Sequence, residues 1–125
     1  MATILLSIKP EYVERIFNGR KKYEFRKHLP QEKVDKIVVY ATDPVQRIVG
    51  EVDVLGTLTM KPTTLWEFTK DAAGISRAKY RTYFKGCATA NAFQLGQVQL
   101  YEVPKTLAET GIKSAPQSFI YLNVD

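Results

Sequence analysis

Lys21, Glu24 and Arg26 fall within the stretch Gly19 to Lys27 (GRKKYEFRK), which sets one acid among five cations and interleaves two aromatics. A lysine, a carboxylate and a guanidinium this close together can handle protons or grip an anion. Arg20 and Lys22 flank Lys21, and their positive potential disfavours its protonated form. Such a lysine could act as a base or contact a phosphate. Glu24 can accept from the Arg26 guanidinium and from a base amino group, while Arg26 offers a planar fork to a phosphate or carbonyl edge. A solvated strand carrying an exposed ion pair worth about 0–1 kcal/mol would have the same composition.

A second basic segment, residues 77–85, holds Arg77, Lys79, Arg81 and Lys85 with no acid. Residues 20–27 and 77–85 each carry +4 in a chain whose total is +5, so the remainder is mildly acidic. Two concentrated basic segments suggest a local anion-binding surface, although cation runs are often only solvated faces. His28 reads as a partly exposed residue at a strand end, and Cys87 as a small core or turn residue without a base partner. No phosphate loop, dinucleotide fingerprint or metal-ligand cluster is found, and no cofactor or metal is expected.

The elements that must position these residues follow from the hydrophobic pattern. Thr3 to Ile8 reads as a buried strand. Pro10 suits the first turn of a helix; Val13, Ile16 and Phe17 then recur at helical spacing, and Gly19 sits where a left-handed terminator belongs. From Lys21 the period becomes alternating, with Tyr23 and Phe25 on a core face and Glu24 and Arg26 on the other. Strict alternation puts Lys21 on the aromatic face, so sharing a cleft with Glu24 requires the turn after Gly19 to re-aim it. Further strands are expected over Lys36–Ala41 and Arg47–Met60, the latter bent near Val54-Leu55-Gly56. Helices are expected from Pro62 to about Gly74 and over residues 76–84 with Ser76 as N-cap; Tyr80 and Trp66 read as core-packing aromatics, with a base-stacking surface as the alternative. A strand or hairpin over Ala88–Val103, a polar crossing after Pro104 and a closing strand over Ser118–Val124 complete the pattern. Five or six strands with three short helices suggest a small, strongly bent antiparallel sheet or barrel with helices at its openings, an α+β, mostly β arrangement.

Gly19-x-Lys21-x-x-Glu24-x-Arg26 resembles the G-x-K-x-x-E-x-R signature of the ASCH (activating signal cointegrator homology) domain. Ser7-Ile8-Lys9-Pro10, Tyr40, Ile75-Ser76, Tyr83-Phe84-Lys85-Gly86 and Pro116-Gln117-Ser118-Phe119 resemble the stand-alone prokaryotic members, so the likeness covers essentially the whole chain. The resemblance implies one ASCH domain over residues 1–125 with a PUA-like fold: a small bent β-barrel of five to six strands, two to three short helices at its openings and a cleft beside the signature. It also implies RNA, modified nucleosides or bases as ligands. Some small members resemble amidohydrolases acting on acylated cytidine, with a threonine nucleophile three residues after the lysine and a glutamate from a later region. Here the threonine position is Glu24, and Asp71 to Ile75 offers no glutamate. Other members are associated with ribonuclease activity.

With 125 residues, 45% hydrophobic and 25% charged, the chain fits one soluble domain without staples. No apolar run reaches bilayer length, the start MATILLSIKP lacks signal-peptide features, and a single cysteine forms no internal disulfide. A cytoplasmic protein without membrane association is expected. The leading functional expectation is a module binding RNA or a nucleotide, with Lys9, Lys21, Glu24 and Arg26 lining a cleft and Arg20, Arg77 and Arg81 attracting phosphates. The alternative is a small hydrolase of acylated cytidine nucleosides or RNA with Lys21 and Glu24 as catalytic residues. A protein-interaction domain is a third. The sequence does not fix the oligomeric state.

Overall fold

The computed structural model describes residues 1–122. Strand β1 (Ala2–Ile8) leads into helix α1 (Pro10–Phe17), and strand β2 (Tyr23–Arg26) follows the turn in which Gly19 takes φ +86°. Strands β3 (Val34–Ala41) and β4 (Arg47–Met60) come next, then helix α2 (Pro62–Thr69), a 3₁₀ turn at Lys70–Ala72, and helix α3 (Arg77–Phe84). Strand β5 (Ala90–Lys105), a second 3₁₀ turn at Ala108–Thr110 and strand β6 (Phe119–Leu122) complete it; positions 123 and 124 of the expected last strand lie outside the described residues.

The six strands form one sheet in the order β2-β5-β4-β3-β1-β6. All neighbours are antiparallel except β1 and β3, which run parallel. The fold is thus α+β with a bent, mixed sheet that does not close into a barrel: β2 and β6 remain as edges. β2 reaches β1 through a side chain, Arg26 Nη2 donating to Ser7 O at 2.9 Å, where a closed barrel would have a backbone ladder.

Register shifts at Val52/Val54 and Val54/Gly56 bend β4 where adjacent apolar residues break the alternation. β5 is one uninterrupted strand rather than a hairpin and continues through Pro104. β2 pairs only with Asn91–Gln94 of β5, so the distal half has an open side on which a missing N–H costs little.

β1 is buried on both faces. Ile4, Leu6 and Ile8 join Ile16, Ile37, Val39, Val52 and Phe93 in the main core, while Leu5 packs with Tyr40 and Ile48 on the other side. That double burial is why β1 reads as a continuous apolar run. A separate cluster of Phe25, Leu65, Tyr80, Phe84, Ala90 and Ala92 lies under α2 and α3. Tyr80 donates from its hydroxyl to Pro62 O and tilts against Trp66, so both aromatics are packing residues.

Candidate functional site

The turn between α1 and β2 is fixed by backbone. Lys21 N–H donates to Arg15 O and Lys22 N–H to Ala72 O, each at 2.9 Å. The segment after α2 supplies three consecutive carbonyls to this turn: Ala72 O takes the Lys22 N–H, Ala73 O takes Lys21 Nζ at 2.8 Å, and Gly74 O takes Arg15 Nη1 at 3.0 Å. Gly74 has φ +64°, and a Cβ there would collide with the Lys21 side chain. Only glycine brings these carbonyls so close.

Lys21 precedes the strand, so strand alternation does not govern it. Its side chain is 3% exposed, with Nζ 5.2 Å from the Tyr12 ring centroid and 4.9 Å from that of Phe25. Burial lowers its pKa from 10.5 to about 8; Glu24 opposes the shift, and Arg15 and Arg26 add to it. The depression expected from Arg20 and Lys22 therefore has a different origin: desolvation dominates, and neither flanking cation is among the causes.

Glu24 is 6% exposed. Its Oε2 accepts from Arg26 Nε at 3.0 Å and Nη2 at 2.7 Å, while Oε1 has no hydrogen-bond partner among the described residues. The pair is largely buried, unlike an ordinary surface ion pair. The double donation and the bond to Ser7 O lock the guanidinium. Ser7 is held in turn: its Oγ donates to Pro116 O at 2.7 Å and its N–H to Ser118 O at 3.2 Å.

These groups line a cleft of about 590 Å³, within the range of small-molecule sites. Lys9, Lys21, Glu24 and Arg26 all face it, as do Tyr12, Phe25 and Tyr83. Helix α3 contributes Ala78, Lys79, Thr82 and Tyr83, spaced i, i+1, i+4, i+5. Ser76 Oγ accepts from Lys79 N–H and caps this helix. Arg20, Arg77 and Arg81 are exposed but do not line the cleft; Lys79 takes the place expected of the two arginines. Positions 77 and 81 share one face of α3, whereas 79 lies on the face carrying Tyr83, so the choice of face was the missed signal. Tyr12 was missed because helical periodicity singled out only Val13, Ile16 and Phe17.

At the mouth, Lys79 Nζ lies 3.5 Å from Glu11 on α1. Burial, then Glu11, raises the Tyr12 pKa, so its phenol keeps its proton at neutral pH. The arrangement has aromatic walls, a donor–acceptor floor of Lys21, Glu24 and Arg26, and two peripheral ammonium groups, Lys9 and Lys79. It can hold a flat, partly apolar group and an attached anion together. The segment that supplies a glutamate in the amidohydrolase branch here presents a backbone carbonyl, Ala73 O, to Lys21. No group of three or more His, Cys, Asp or Glu able to hold a metal occurs among the described residues.

The fold is that of a PUA-like domain with a recess beside the signature residues, and the family model of the ASCH domain matches residues 6–104. The chain belongs to the ASCH domain family. It is similar to an ASCH domain-containing ribonuclease of Zymomonas mobilis, 34% identical over 92 residues, covering 73% of this chain and 62% of that protein. The crystal structure of the ASCH protein from Zymomonas mobilis superposes with a TM-score of 0.90 at 30% identity, covering 98% of this chain and 88% of that one. A match to the ATP synthase subunit alpha of Ureaplasma parvum reaches 36% identity over 121 residues; this chain spans 96% of its own length but 15% of that relative's. The N-terminal domain of Staphylothermus marinus McrB, 15% identical with a TM-score of 0.54 over 86% of this chain and 78% of that one, shares the fold alone. None of the described helices is long and apolar enough to cross a membrane.

Proposed function

We propose that the cleft binds single-stranded RNA by taking one unstacked nucleotide. The observation that carries this reading is the composition of one recess: aromatic rings of Tyr12, Phe25 and Tyr83, the Lys21–Glu24–Arg26 floor, and Lys9 and Lys79 at the rim. Single-stranded recognition combines these elements, with aromatic faces for bases, polar groups for base edges and cations for phosphates. The similarity to a ribonuclease supports RNA over a free nucleotide. Glu24 Oε1 is the free acceptor for a base amino group, and Lys21 Nζ has donors left beyond Ala73 O.

The test is fluorescence anisotropy with a labelled single-stranded RNA across salt concentrations. Two or three phosphate contacts give a log–log slope of roughly −2. Glu24→Gln changes preference among bases more than overall affinity. Binding independent of salt, or none, refutes the reading.

A second reading, RNA cleavage, is favoured by Lys21. With a pKa of about 8, roughly one molecule in ten carries a neutral amine at pH 7. That amine can accept a proton from a ribose 2′-hydroxyl, whose oxygen attacks the adjacent phosphorus while the 5′-oxygen leaves and takes a proton from water. The products are a 2′,3′-cyclic phosphate and a 5′-hydroxyl. Incubation with RNA and with its 2′-deoxy counterpart tests it: cleavage of both refutes this chemistry, as does cleavage of neither.

A further inference from the structure

The α3 wall of the recess ends in Tyr83, whose ring also meets a cation that lies outside the lining. Tyr83 lines the cleft, and the ammonium of Lys27, which is not among the lining residues, lies 5.1 Å from its ring centroid. Lys27 is exposed but its backbone is held at both ends. Its N–H donates to Tyr83 Oη at 3.2 Å, and its C=O accepts from Asn91 Nδ2 at 3.0 Å. Asn91 is itself buried and oriented by Thr59, whose hydroxyl donates to Asn91 Oδ1 at 2.6 Å. A buried amide thus fixes the backbone of the residue whose ammonium lies over a half-buried aromatic. Phe84 meets the Tyr83 ring edge-on at 4.8 Å and holds its plane.

Lys79 and Tyr83 are four residues apart on α3, about 6 Å along the helix axis. Lys79 and Tyr83 both line the recess, and Lys27 lies outside its lining with its ammonium against the Tyr83 ring. Tyr83 therefore has one cation a helical turn before it and another against its ring, the combination that alternating phosphate and base contacts of a strand require. We propose that Tyr83 and Lys27 form a second nucleotide subsite, taking the base and phosphate next to the nucleotide in the cleft. The proposal rests on the RNA-binding reading and adds the direction in which the strand leaves.

The experiment compares Lys27→Gln with wild type on two probes: a fluorescein-labelled single-stranded RNA octamer followed by anisotropy, and the four 5′-ribonucleoside monophosphates followed by NMR titration. Lys27 lies outside the cleft lining, so monophosphate affinity stays unchanged. Octamer affinity falls several-fold, and the log–log salt slope flattens by about one. Tyr83→Leu, which keeps apolar bulk without a stacking face, weakens the octamer on the order of ten-fold. If Lys27→Gln leaves octamer affinity and salt slope at wild-type values, or weakens both probes equally, the second subsite is overturned while the cleft reading stands. If wild-type protein binds neither probe, the RNA reading fails and this inference with it.

Discussion

Replacing Lys21 by methionine is expected to make the protein more stable at neutral pH, and the amount follows from its surroundings. The side chain is 3% exposed and burial lowers its pKa from 10.5 to about 8. Below pH 8 the folded protein must hold a charged ammonium in a site that disfavours it. Between pH 8 and 10.5 the unfolded chain binds more protons than the folded one, so stability rises with pH across this window. The shift corresponds to about 3 kcal/mol at neutral pH. Methionine removes that cost but also the hydrogen bond to Ala73 O, worth about 1 kcal/mol. Lys21→Met should therefore be more stable than wild type by about 2 kcal/mol at pH 7 and about 1 kcal/mol at pH 9, with the two proteins equal near pH 10. Urea unfolding at these three pH values reads the difference directly. The same variant should lose RNA binding, since stability and function oppose each other at this position. A variant less stable than wild type at pH 7, with a difference that does not move with pH, would refute the reasoning.

Gly74→Ala should cost roughly 2–4 kcal/mol, because alanine is strained at positive φ and its Cβ would displace Lys21; thermal denaturation with and without ligand measures it. Glu11→Gln frees Lys79 from its competing carboxylate and should tighten RNA binding by up to about five-fold at low salt, the effect fading as salt rises; weaker binding in anisotropy would contradict this. Arg26→Lys keeps the charge but cannot donate to Glu24 twice and to Ser7 O once, so it should destabilise the fold by about 1–3 kcal/mol and loosen base discrimination. Parallel chemical denaturation and competition with different RNA sequences separate the two effects. If cleavage occurs, its rate should rise with pH up to about 8 as Lys21 loses its proton; a flat pH–rate profile from 6 to 9 would exclude Lys21 as the base.

Local signals in the sequence carried far. Pro10 opening α1, Gly19 ending it, Ser76 capping α3 and the Arg47–Met60 bounds of β4 all follow from short-range chemistry acting within a few residues. Pairing partners are set at long range, so the parallel β1–β3 pair and the unclosed sheet left no local trace. Pro104 looked like a strand end because local rules cannot tell which side of a strand lacks a neighbour. Within the cleft, the signature residues were legible as a set, but the environment of Lys21 was not. The 72–74 carbonyls that hold its turn come from some fifty residues away, and one of them, Ala73 O, takes its ammonium. Nothing local separates Lys79 from Arg77 and Arg81, whereas the packing of Tyr80 and Phe84 turns the face of Lys79 and Tyr83 to the cleft.

The most direct test of the cleft as the RNA site is an amide and methyl NMR map of the protein titrated with a short single-stranded RNA. Shifts should concentrate at Ser7 to Tyr12, Lys21 to Arg26 and Ala78 to Tyr83. A second concavity, about 420 Å³ beside Leu29–Asp35 and Val54–Thr57, should stay silent. Perturbations gathered around that second concavity, with the Lys21–Glu24–Arg26 signals unmoved, would contradict the assignment of the cleft.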